Sequence, residues 1–348
     1  MKWHSLIAFA LFSSLLVGCT GSDKAPDSGT TGNGGTKPEE GKKLTIGVVF
    51  DSGGRGDKSF NDSAAAGAER AKAELGVNVE YVESHSPKDY ETNIASMAEK
   101  CDLVFAVGIS QGAALAKVAP DFKDKKFAII DGDCKADNVR MLKFKEEEGS
   151  FLVGYVAGSL PSTKKIGFIG GMELPLIKKF EFGYFAGAKM ANPAIELLPS
   201  KYTGSWDDQS KGTDMANTLF AGGADVVYAA AGRAGLGAIK AAKDKGKLFI
   251  GVDSDQDDLE KGVVLTSMIK RVDEALFSTT KDLKDGKFSA GETMYDLKSS
   301  GVGTSDFRNT KDKIPAEAMT KLEQVKADII AGKIKVPATK EEFDAFKP

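Results

Sequence analysis

What most limits the fold of this chain is an alternation that occurs twice. Short apolar runs of strand length are separated by segments of helical length rich in Ala, Glu and Lys. In the first series, Thr45–Phe50, Val77–Val82, Leu103–Val107, Phe127–Ile130 and Val139–Lys145 read as strands. The intervening segments Ser63–Leu75, Pro87–Lys100 and the stretch from Gly108 through Ala119 read as helices, with a further helix over Ser150–Leu160. Pro161-Ser-Thr-Lys-Lys165 breaks the pattern, which then restarts. Strands are predicted over Ile166–Gly170, Ala224–Ala229, Leu248–Val252 and Val263–Lys270, with helices over Lys178–Ala191 and Gly235–Lys245 between them. Apolar runs separated by helices specify a parallel sheet covered on both faces. The reading is therefore α/β: two doubly wound parallel-sheet lobes, at 348 residues too long for one ordinary core. The first lobe is assigned 44–160 and the second 161–270. Residues 271–348 hold a crossover, Val272–Leu283, and a C-terminal helix, Ala316–Ala331, of unassigned lobe; part of this segment is expected to complete the first lobe.

Within this frame the stretch Gly47–Glu69 is the most informative. Strand Thr45–Phe50 stops at Asp51 and enters Ser52-Gly-Gly-Arg-Gly-Asp-Lys-Ser-Phe-Asn-Asp62, after which a helix runs to a stop at Gly76. In open α/β sheets ligands sit beyond the carboxyl ends of strands, so this loop faces the ligand position. Asp51 and Asn61 can hydrogen-bond there, and Phe60 offers a stacking face; together they suit a small polar aromatic solute.

Rival chemistries lack parts. Gly108-Ile-Ser110-Gln-Gly112 matches the G-x-S-x-G nucleophile elbow. A hydrolase of that type needs a His later in the chain, and the two histidines, His4 and His85, both precede Ser110. Gly53 to Ser59 has the look of a phosphate loop, but the spacing to Lys58 is one residue short and Asp57 stands where that loop has Gly. A carboxylate among backbone amides repels phosphate. Arg55-Gly-Asp57 is an integrin-type tripeptide, too short to carry a reading alone. The Asp253–Asp258 run begins like a calcium loop without its Gly and later Glu, so no metal or cofactor is implied. With 28% charged residues of mixed sign and a net charge of −3, nothing forms the basic stripe of a nucleic-acid binder.

Residues 1–18 have the shape of a secretory signal, with an apolar run too short to span a bilayer comfortably. Leu16-Val-Gly-Cys19 resembles the bacterial lipobox, which makes Cys19 the lipidated first residue of a mature protein held at the cell membrane on its outer side. Residues 19–43, rich in Gly, Ser, Thr and Pro, form a tether. Cys101 and Cys134 make one candidate pair; sequence leaves open whether they bond, with two buried thiols favoured.

The loop also carries a family resemblance. Asp51-Ser-Gly-Gly-Arg-Gly-Asp-Lys-Ser-Phe-Asn61 resembles the signature of the basic membrane protein family, lipoprotein substrate-binding subunits of ABC importers that include purine nucleoside receptors. Phe168-Ile-Gly-Gly-Met172, Lys179–Tyr184 and Ile250–Gln256 extend the likeness over the mature chain. It implies the type I periplasmic binding protein fold, with lobes joined by a hinge, no enzymatic activity, and ABC permease and ATPase subunits as partners. It also implies a nucleoside site of Asp51, Phe60, Asn61 and Asp131 in the first lobe and Phe180, Gly232, Asp253 and Lys270 in the second. Phe60 and Phe180 would sandwich the base, Asp131 would take its edge, and Asp253 and Lys270 would take the ribose. Phe180 lies four residues before Tyr184, where sugar-binding relatives place a ligand-contacting Arg. Phe182 and Trp206 are substitutes for the second ring, and Asp255 is a weaker candidate than Asp253. The alternatives are a receptor for a sugar or autoinducer on the same fold, and a surface adhesin or antigen.

Overall fold

The computed structural model describes residues 43–348. The signal, the tether and Cys19 lie outside the described residues. The first sheet contains β1 (Thr45–Phe50), β2 (Asn78–Glu83), β3 (Leu103–Val107), β4 (Lys126–Ile130) and β5 (Val139–Phe144). The second contains β6 (Lys165–Gly170), β7 (Glu196–Leu197), β8 (Lys201–Tyr202), β9 (Val226–Ala230), β10 (Leu248–Asp253) and β11 (Val264–Lys270). Each sheet gains one late strand: β12 (Gly291–Tyr295) joins β5, and β13 (Val302–Thr304) joins β11. The orders are β12-β5-β4-β3-β1-β2 and β13-β11-β10-β9-β6-β7, with β8 also paired to β6. Every pairing is parallel except β11 with β13. Strand cores such as Leu103–Val107 and Val226–Val227 are fully buried, as sheets covered on both faces require.

Ten α-helices flank these sheets among the described residues: α1 (Phe60–Arg70), α2 (Tyr90–Lys100), α3 (Gly112–Val118), α4 (Glu146–Ser159), α5 (Pro175–Ala191), α6 (Gln209–Ala221), α7 (Ala234–Lys245), α8 (Val272–Lys284), α9 (Ala316–Ile330) and α10 (Lys340–Ala345). A single turn of wider helix follows α1 and ends at Gly76, whose φ of 71° supplies the left-handed stop. None of the helices is long and apolar enough to cross a membrane.

One helix lies away from where the sequence put it. The Ser150–Leu160 segment, assigned to the first lobe, belongs to α4, which packs on α5, α9 and β11 of the second. Glycines make that packing close: a Cβ on Gly154 would lie 2.0 Å from Tyr184 O, and one on Gly187 would lie 2.0 Å from Phe151 O. α8 returns to the first sheet and packs on α1. The chain thus passes between lobes after β5, after β11 and after β12. Backbone bonds tie the passages together, Lys145 N to Tyr295 O at 2.9 Å and Arg271 N to Gly301 O at 2.9 Å. These three segments form the hinge.

Candidate functional site

The carboxyl ends of the two sheets face each other across a cavity of about 60 Å³. A space this small between strand ends excludes a polymer. Asp51 follows β1, Asp131 follows β4, Asp253 ends β10 and Lys270 ends β11. Phe60 and Asn61 open α1, Phe180 lies in the second turn of α5, and Gly232 is in the turn after β9. All eight residues singled out from the sequence line this one cavity. Phe182 does not; its ring stacks on Phe343, centroids 5.7 Å apart. Asp255 is held outside by Arg308 at 2.7 Å.

Asp57 explains how the glycine loop keeps its shape. Its carboxylate accepts from the backbone N–H groups of Ser59, Asn61 and Asp62 at 2.9, 2.9 and 3.1 Å. An internal anion therefore occupies the N-terminus of α1, the position a phosphate group would otherwise seek. Asn61 Nδ2 donates to Asp51 Oδ1 at 2.9 Å and to Asp57 Oδ2 at 3.1 Å. Its other polar atom, Oδ1, is buried with no partner. A buried acceptor without a donor is costly, so Asn61 Oδ1 is set to receive an N–H or O–H from a solute. Burial pushes the Asp51 carboxyl up to about 6, against the opposing bonds from Asn61 and Gly53.

Asp131 and Asp253 occupy matching places in the two lobes, and both adopt left-handed backbone, φ 68° and 63°. Such backbone in a non-glycine residue is strained and collects at functional sites. Asp131 meets Lys270 Nζ with both oxygens, at 2.7 and 2.6 Å, a buried pair that bridges the lobes. Asp253 accepts from Ser59 Oγ of the first lobe at 2.5 Å. Burial raises its carboxyl to about 7, with the Lys270 charge opposing. The Lys270 ammonium is 1% exposed, yet three surrounding carboxylates, Asp131 foremost, outweigh its desolvation and keep it protonated. It lies 5.3 Å from the Phe60 ring centroid and 5.5 Å from that of Phe180. One ammonium thus has the two predicted aromatic faces, from opposite lobes, as neighbours.

Further bonds join the lobes directly onto the glycine loop. Arg233 Nη2 donates to Arg55 O at 2.5 Å, Gln256 Nε2 to Lys58 O at 2.8 Å, and Ser254 Oγ to Ser59 O at 3.0 Å. The molecule is closed.

The sequence reading missed several lining residues. Leu176 and Ile177 come from the first turn of α5, and Trp206 entered only as a substitute. A Cβ on Gly171 would lie 2.2 Å from the Trp206 indole, so the Gly170-Gly171 pair was a legible sign of an aromatic packed there. The elbow-like Gly108–Gly112 has a structural cause. Gly108, at φ 115°, approaches Asp51 so closely that a Cβ would sit 2.9 Å from its Oδ2. Gln111 turns inward to donate to Val49 O and Val107 O at 2.9 and 2.8 Å. Cys101 and Cys134 are buried, free thiols.

A hinged pair of parallel-sheet lobes with a small-solute cavity between their strand ends is the architecture of an ABC transporter solute-binding protein. A solved structure of this class, from Aeropyrum pernix, superimposes with a TM-score of 0.79 at 30% identity, covering 87% of this chain and 96% of its own. Residues 44–340 match the model of the Bmp family, described as ABC transporter substrate-binding protein PnrA-like, and the chain belongs to that family. The ABC transporter nucleoside-binding protein BmpA of Lactococcus lactis is 35% identical over 95% of this chain and 97% of its own length. An uncharacterised lipoprotein of Pyrococcus abyssi is 36% identical over 86% of this chain and 76% of its own. The family consists of solute-binding proteins, not enzymes. Permease and ATPase subunits of an ABC transporter are thereby its partners.

Proposed function

We propose that the protein captures a nucleoside, and specifically a purine nucleoside, and delivers it to its permease. The observation that carries this is the pairing of Phe60 and Phe180 from opposite lobes around the Lys270 ammonium. Rings on either side of a flat heterocycle would grip it, at roughly 1–3 kcal/mol per stacked base. Acceptors then match the donors of the solute: Asn61 Oδ1 and Asp131 at the base edge, and Asp253 at the ribose hydroxyls. The name of the Lactococcus relative supports the same class of ligand. Because the solute touches both lobes only when they are shut, binding draws the population toward the closed form. Cys19, lipidated, would hold the domain at the membrane by its tether, in keeping with the lipoprotein relative.

A sugar receptor on this fold is less well supported, since Phe180 places an aromatic face where a sugar clamp needs donors. A surface adhesin is the other alternative, and Arg55-Gly-Asp57 lends it no support. The Asp57 side chain is 1% exposed and already spent on α1. Calorimetry with guanosine, inosine, adenosine and ribose tests the reading, together with mass spectrometry of any small molecule released on denaturation. Micromolar or tighter binding of a purine nucleoside is the expected result. Ribose binding with no nucleoside binding would overturn it.

A further inference from the structure

Glu146 is fully buried but does not line the cavity. It is the first residue of α4, on the hinge segment that leaves the first sheet. Its Oε1 lies 3.0 Å from Lys270 Nζ, and its Oε2 accepts from Lys179 Nζ at 3.1 Å. Lys179, on α5, also donates to Phe144 O at 3.1 Å, and the Phe144 ring centroid is 4.8 Å from the Lys270 ammonium. Lys270 is therefore drawn from two sides, by Asp131 in the first lobe and by Glu146 in the hinge. The other charged groups around this cluster are Asp253 in the second lobe, Lys143 on β5, and Glu147 beside Glu146.

A lysine side chain has many rotamers, and a single carboxylate leaves its ammonium free to swing about that partner. Two carboxylates on different elements fix it at one point. Removing one of them leaves a desolvated excess of positive charge shared by Lys270 and Lys179. We propose that Glu146 is a positioning residue of the solute site: through its ion pairs with Lys270 and Lys179 it fixes the cavity ammonium and ties it to the hinge. One arm of the test rests on the nucleoside reading and the other needs no ligand.

The ligand-free arm uses the described chain labelled with ¹⁵N-lysine, the Lys270 ammonium signal being the one absent from Lys270→Met. In Glu146→Gln that signal should shift and its protons should exchange with water faster, because the ion pair that holds the ammonium in place is broken. In the second arm guanosine should bind Glu146→Gln about tenfold more weakly or worse, with Glu146→Asp in between. Lys179→Met should weaken binding in the same direction, and the double variant should lose less than the sum of the singles. Val118→Ala, which removes core volume from α3 of the first lobe, away from α4 and α5, controls for a merely structural effect and should keep full affinity. An unchanged Lys270 signal in Glu146→Gln overturns the proposal, as does equal loss of affinity in Val118→Ala at matched Tm. If the wild type binds no nucleoside, the nucleoside reading fails and the Lys270 signal alone decides the role of Glu146.

Discussion

Raising the pH through neutrality should tighten nucleoside binding until Asp253 is fully ionised and then have no further effect. In the closed, empty cavity burial lifts this carboxyl from an ordinary 3.8 to about 7. Three pH units correspond to roughly 4 kcal/mol, as an order of magnitude, in favour of the protonated form. Ribose hydroxyls donating to an ionised carboxylate contribute roughly 1.5–3 kcal/mol each, so two of them offset most of that preference. The complex then holds fewer protons than the free protein, and affinity rises up to about tenfold per pH unit below 7. Calorimetry from pH 5.5 to 8, in buffers of different ionisation heat, reads both the affinity and the protons released. Close to one proton should leave per nucleoside near pH 6, and none above pH 8. Asp253→Asn should remove the upper part of the slope, leaving a weaker step near 6 from Asp51. Affinity flat across this range with no proton release, or an unaltered profile in Asp253→Asn, would refute the reasoning. Stability of the ligand-free protein runs the other way. A carboxyl raised by folding binds its proton more tightly folded than unfolded, so its stabilisation is complete below the ordinary value. It is lost as pH climbs through about 6 for Asp51 and about 7 for Asp253 and Glu147.

Phe60→Ala should weaken nucleoside binding by roughly 5- to 150-fold in a titration, the worth of one stacked base, with little change in Tm because Phe60 is only half-buried. Phe180→Ala should weaken it similarly and also lower Tm, since Phe180 is 3% exposed and packs in the core. Arg233→Ala removes a bond that exists only in the closed form; solution scattering should show a larger ligand-free radius of gyration, and affinity should fall roughly fivefold. Gly154→Ala forces a methyl group against Tyr184 O of the backbone, so α4 and α5 must part, and it should lower both Tm and affinity.

The two sheets were legible because their strands are buried on both faces, and an unbroken apolar run such as Leu103–Val107 needs no tertiary context to be read. What escaped was whatever lacked that signal. β7 and β8 have two residues each, and β12 is an edge strand whose Gly-Glu-Thr-Met-Tyr is mostly exposed. Capped by Asp208 in a polar stretch, α6 presents only four buried residues and went unread. The lobe of α4 was invisible because continuity along the chain says nothing of which neighbour a helix will pack on. In the site, strand-end aspartates announced themselves by position, since each stops an apolar run. Glu146 did not, because Glu146-Glu-Glu148 looks like a solvated helix start until Lys270 and Lys179 are seen beside it.

The carboxylate of Asp57, seated on the amides that open α1, has a consequence beyond the molecule itself. If the cargo is the nucleoside proposed above, a receptor whose own acid fills its anion-binding corner would disfavour the phosphorylated form. An organism scavenging through it would leave the phosphorylated pool in its surroundings untouched until some phosphate-removing reaction upstream released the neutral product.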